Sequence, residues 1–190
     1  MPRPPRSKTN CYDKFWLRKD MENMGYLFEY CNKYCKELFN VDIDELKFLN
    51  AFMNSKCRYT METGHERLLS QAAVDTVEML IKVDCDGDVK QFEKDSDTQY
   101  DFCYHQLYWV GMMYAYMRYR ADMLSKDLIK LFPLDLMLEH YYLGHEMSKE
   151  VYYDHIKHVF LKVRQQANLE RKQRRLAEYQ RHQAEKQLQQ

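Results

Sequence analysis

The chain has 190 residues, 45% hydrophobic and 31% charged, with a formal net charge of zero. That length suits one domain with tails, and that apolar fraction excludes wholesale disorder. No apolar stretch approaches the roughly 18 residues a membrane helix needs, and the basic start MPRPPRSKTN has no apolar run behind it. The expectation is a cytoplasmic protein.

Charge is unevenly spread. Arg3, Arg6 and Lys8 stand without an acid, and residues 161–190 carry eight Lys/Arg against three Glu, which leaves residues 9–160 at −8. Three of the 4 prolines fall in the first five positions, and beyond them only Pro133 interrupts the chain. So few breakers predict long helices. The expected architecture is all-α: a disordered basic arm over 1–9, a single helical domain of about six helices over 10–160, and a basic, solvated helical tail over 161–190.

In chain order, the first helix is expected from about Asp13 to Phe39, with Phe15, Met24, Leu27, Phe28, Cys31, Tyr34, Cys35 and Leu38 at helical spacing. A second begins in NVDIDELKFLNAFM, where Asp42 or Asp44 can cap it and Glu45 lies three after Asp42, as in a capping box. A third is expected from about His65 to Val83. The pattern breaks at 84–98, and Asp86-Gly87 there is a turn dipeptide that predicts a short hairpin near 84–93. The run YDFCYHQLYWVGMMYAYMRYRADM, about 99–123, is apolar around most of its circumference and is therefore placed centrally. Ser125 is read as the cap of a short helix over 126–132, and Pro133 as the first residue of the next, which Gly144 ends. Ser148 is read as the cap of a last helix that runs on into the basic tail.

Several motifs invite chemistry. In DCDGDVKQFEKD the acids Asp84, Asp86 and Asp88 match the first ligand positions of an EF-hand loop. Gly87 falls at the fourth position instead of the sixth, and Asp95 stands where a bidentate Glu is required, so the stretch reads as a polar turn. His140, His145, His155 and His158 lie within nineteen residues, but no H-E-x-x-H or cysteine pair accompanies them. A metal-dependent enzyme built on them is the third reading of function, behind two binding readings. Cys11, Cys31, Cys35, Cys57, Cys85 and Cys103 are scattered without a C-x-x-C pair and read as free thiols. No nucleophile elbow, phosphate loop or dinucleotide fingerprint occurs, so the sequence reads as non-enzymatic, with no cofactor.

The strongest local pattern is aromatic. Tyr100, Tyr104, Tyr108 and Met112 step by four, and Tyr114 with Arg118 is a further four-step pair. Residues 106–156 carry Tyr108, Trp109, Gly111, Tyr114, Ser125, Lys126, Lys130, Pro133 and His145, a Tyr-Trp-x-Gly-x-x-Tyr helix followed by a Ser-Lys-x-x-x-Lys helix, a proline and a Tyr/His turn. This resembles small uncharacterised bacterial proteins that serve as accessory or antitoxin-like members of toxin–antitoxin loci. The resemblance covers about a quarter of the chain and implies a non-enzymatic protein that binds a protein partner, such as a toxin, with no catalytic set to carry over. The residues expected to meet that partner are Tyr104, Tyr108, Trp109, Tyr114 and Arg118. The alternative is nucleic-acid binding, with Arg171, Lys172, Arg174 and Arg175 on phosphates.

Overall fold

The computed structural model describes residues 14–63, 66–97, 100 and 102–159, apart from the side chains of Lys14, Phe15, Glu66, Arg67 and Tyr104. The expected arm and basic tail lie outside the described residues. Internal contacts divide the chain into two units, residues 1–149 and 150–190. The described residues are helical, with no strand among them, and no described helix is long and apolar enough to cross a membrane.

In the first unit, α1 (Lys14–Phe39) and α5 (Tyr104–Ala121) share the most extensive contact. Met24, Leu27, Phe28, Cys31 and Cys35 bury one stripe of α1, while Leu107, Val110, Met113, Tyr114 and Met117 bury most of α5. The all-round apolar character of α5 thus has its expected consequence: it is central. Gly111 lets the two helices approach. A Cβ there would meet the Met24 carbonyl and stand 2.8 Å from Phe28 Cγ.

Around this pair lie α2 (Glu45–Asn54), α3 (Lys56–Thr63), α4 (Ala73–Asp84), α6 (Ser125–Leu131), α7 (Leu134–Glu139) and α8 (Tyr141–Gly144), with 3-10 turns at Glu66–Ser70 and Lys90–Phe92. Asp44 is the cap of α2, accepting the Lys47 N–H at 2.9 Å. Asp42 instead accepts from Asn32 Nδ2 at 2.7 Å. The single helix expected over 65–83 is divided: it becomes the first 3-10 turn and α4, and α3 precedes them in a stretch without strong apolar periodicity.

The hairpin expected near 84–93 is corrected. Asp86 (φ 48°) and Gly87 (φ 83°) do make a tight turn, but it leads into the Lys90–Phe92 turn, and the isolated bridge at Glu93 pairs with Ile43. The partner is a distant segment, so the turn dipeptide alone gave the wrong pairing. Two caps are corrected as well. Ser125 is the first residue of α6, behind Leu124, and its hydroxyl is used in the interior; Pro133 precedes α7 as its cap. In the second unit the described part, residues 150–159, is helical.

Candidate functional site

The residues expected to meet a partner do not form one surface. Arg118 is 1% exposed and belongs to an ionic cluster inside the first unit. Arg58 grips Asp20 with two nitrogens, at 2.6 and 2.8 Å, and its Nε lies 3.0 Å from Glu62 Oε1. Arg118 Nε approaches the same Glu62 oxygen at 3.0 Å, and its Nη2 donates to the Glu62 carbonyl at 3.2 Å. Ser125 completes the cluster: its hydroxyl donates to Glu62, accepts from Arg58 Nε at 3.1 Å, and its N–H also reaches Glu62. Two carboxylates and two guanidiniums balance, which is what burial of four charges requires. The cluster ties α1, α3, α5 and α6 together. It is internal and closed, so it is structural machinery.

Tyr114 is also interior: fully buried, its hydroxyl donates to the Phe132 carbonyl. Its role is to join α5 to the end of α6. The side chain of Tyr104, and Arg171, Lys172, Arg174 and Arg175, lie outside the described residues.

Trp109 and Tyr108 diverge to two exposed aromatic surfaces. Trp109 is 8% exposed and meets the Tyr141 ring edge-on, with centroids 5.7 Å apart. Tyr141 in turn stacks on His145 at 4.6 Å and 8°. The His145 ring is fixed from both nitrogens: Nδ1 lies 2.9 Å from the Tyr141 carbonyl and Nε2 3.0 Å from Glu146. On this pedestal stands Tyr142, 74% exposed, in edge contact with Tyr141 at 5.4 Å and flanked by Leu143. Rigid, amphipathic aromatics in the open are the chemistry of a protein contact, because they offer large area at little loss of side-chain freedom.

Tyr108 leads to the other surface. It meets Tyr26 of α1 edge-on at 5.3 Å. Tyr26, Tyr30 and Tyr34 step by four along α1, with centroids 6.3 and 6.0 Å apart, and Leu38 continues the row at 42% exposure. Leu38 therefore belongs to the outer face of α1 instead of the core stripe where its spacing had placed it. A cleft of about 520 Å3 opens beside Tyr30, bordered by Asn32, Lys36 and Asp42.

The remaining motifs are occupied with structure. Asp84 accepts the N–H groups of Lys56 and Cys57 at 2.7 and 2.8 Å, capping α3 from the end of α4. Asp88 accepts from Lys90 N–H at 3.0 Å, and Asp86 sits at positive φ in the turn. The carboxylates of Asp84 and Asp88 serve separate tasks. Among the described residues no three His, Cys, Asp or Glu side chains converge to hold a metal ion.

Burial pushes the Cys35 and Cys57 thiols up to about 12, and it raises Cys31 as well. Thiols held protonated are poor nucleophiles. At pH 8 iodoacetamide should therefore alkylate the exposed Cys103 in the folded protein while Cys35 and Cys57 stay unlabelled. Peptide mass spectrometry checks this, and labelling of Cys57 as fast as Cys103 would contradict it.

Sequence reasoning missed Asp20, Arg58 and Glu62, although Arg58 and Glu62 stand four apart in KCRYTMET and could have been paired on one helical face. It also passed over the four-step row Tyr26-Tyr30-Tyr34-Leu38, the same signal it used on α5. No known protein family, curated protein or solved structure matches this chain.

Proposed function

We propose that the chain is a non-enzymatic bacterial protein that binds another protein in the cytoplasm, in the manner of an antitoxin, through the aromatic patch on α8. The observation that carries this reading is Tyr142: a large aromatic ring, 74% exposed, fixed on a Trp109–Tyr141–His145 pedestal. Free, flexible tyrosines bind weakly because ordering them costs entropy. Edge contacts with Tyr141 at 5.4 Å and His145 at 6.4 Å lower that cost for Tyr142. Trp109 supports the patch from below, Tyr142 and Leu143 make the contact, and Tyr141 and His145 hold Tyr142 upright.

The test is capture from the native cell with the full tagged chain, with and without nuclease. One dominant protein should be retained after nuclease, and Tyr142→Ala should weaken its binding by about 2 kcal/mol, roughly 30-fold. Circular dichroism should be unchanged, since the ring lies outside the core. Capture that disappears with nuclease and is indifferent to Tyr142→Ala would overturn the reading. It would favour nucleic-acid binding by Arg171, Lys172, Arg174 and Arg175, whose affinity would fall steeply between 50 and 200 mM salt.

A further inference from the structure

The outer face of α1 carries a pattern that the α8 patch leaves unused. Six side chains share it: Lys19, Glu22, Tyr26, Tyr30, Lys33 and Glu37. At about 100° per residue they fall within an arc of roughly 80°. Their spacing of three and four residues is that of a helix face that packs on another helix at a shallow angle. Read from the N-terminus, the order is basic, acidic, tyrosine, tyrosine, basic, acidic. Reversed, it becomes acidic, basic, tyrosine, tyrosine, acidic, basic.

A second α1 laid antiparallel, with the two-fold passing beside residue 28, therefore places opposite charges together at every level. Lys19 meets Glu37 of the other copy, Glu22 meets Lys33, and Tyr26 meets Tyr30. Symmetry doubles each pair. From these juxtapositions we infer that the outer face of α1 is the seat of a second copy of this chain, paired antiparallel around Tyr26 and Tyr30.

The structure prepares the face for this exchange. Within one chain Lys19 and Glu22 meet at 3.4 Å and Lys33 and Glu37 at 3.8 Å, the latter pair with both side chains more than half exposed. Such exposed pairs contribute little by themselves, so trading them for cross-chain pairs costs little. At the apolar centre Tyr108 meets Tyr26 edge-on, and Lys33 Nζ lies over the Tyr30 ring at 5.6 Å. Leu38 and Tyr34 extend it on one flank. The antiparallel arrangement also sets the positive end of one helix dipole beside the negative end of the other.

The test separates this pairing from any other self-association. Sedimentation velocity of the full native chain should show a dimer at micromolar concentration. Lys19→Glu with Lys33→Glu makes the face wholly acidic, and Glu22→Lys with Glu37→Lys makes it wholly basic. Each double variant alone should be shifted toward monomer, its dissociation constant raised about 10- to 100-fold. An equimolar mixture of the two should recover the dimer, which no misfolded variant could do. A native chain that stays monomeric at about 100 µM overturns the inference. So do variants that dimerise like the native chain, and a mixture that remains monomeric while the native chain is a dimer. Tyr142→Ala should leave the dimer intact.

Discussion

Arg58→Ala should lower the unfolding free energy by about 3–5 kcal/mol, read as a fall in the urea midpoint. Arg58 is fully buried and answers two carboxylates, Asp20 at 2.6 Å and Glu62 at 3.0 Å. Without it Asp20 loses both grips of the fork, and Glu62 is left with Arg118 and Ser125 among the described residues. The interior is left with one surplus negative charge. Desolvation has then been paid without its return, which is why removing one partner costs more than the intact cluster ever contributed. Arg18→Ala is the control: Arg18 pairs with Glu22 at 3.1 Å in the open, and its loss should cost at most about 0.5 kcal/mol. A loss below about 1 kcal/mol at Arg58 would mean the cluster does not hold the four helices together.

Gly111→Ala should cost about 3 kcal/mol, near the upper end of the usual range for an overpacked core. The added methyl would strike the Met24 carbonyl, a backbone atom of α1, and stand 2.8 Å from the Phe28 ring. A backbone atom cannot swing aside, so α1 and α5 must part along their shared contact. Gly25→Ala is the informative comparison. Its methyl would meet the Tyr108 ring at 2.6 Å, but that ring is half-exposed and can turn outward. Its cost should stay near 1 kcal/mol. Thermal unfolding of the two variants ranks them, and a Gly25 variant less stable than the Gly111 variant would show that α1 and α5 do not meet as described.

Both effects depend on features the sequence discloses unequally. The 3.6-residue periodicity of α1 and the all-round apolar character of α5 announce the central pair, because burial of a face leaves a direct imprint on residue order. The caps are less legible. Asp42 and Asp44 both suit a cap by type, and only the Asn32 side chain, ten residues before Asp42, decides between them. The failure at 84–93 has a similar origin: Asp86-Gly87 does turn, but Glu93 pairs with the distant Ile43, which no local rule consults.

The site was legible only in part. The four-step rule marked Tyr108, and the resemblance over 106–156 marked Trp109; each leads to an exposed aromatic surface. The same rule gave Tyr114 and Arg118, which the fold takes into its interior. Periodicity tells which residues share a face and is silent on which face meets water. Tyr142 had no periodic signal, being in a four-residue helix, and it stands exposed beside Tyr141, which stacks on His145 and meets Trp109 edge-on. Arg58 and Glu62 were hidden because charged residues are ordinarily solvated, and the pairing that permits their burial joins segments 38 and 56 residues apart.

The most direct measurement is the hydrogen-exchange footprint of the captured partner on the full chain. Amides across 139–147 should slow when the partner binds, and the slowing should vanish in Tyr142→Ala. Protection confined to residues 161–190, with 139–147 unchanged, would contradict the proposed contact and transfer the binding to the basic tail.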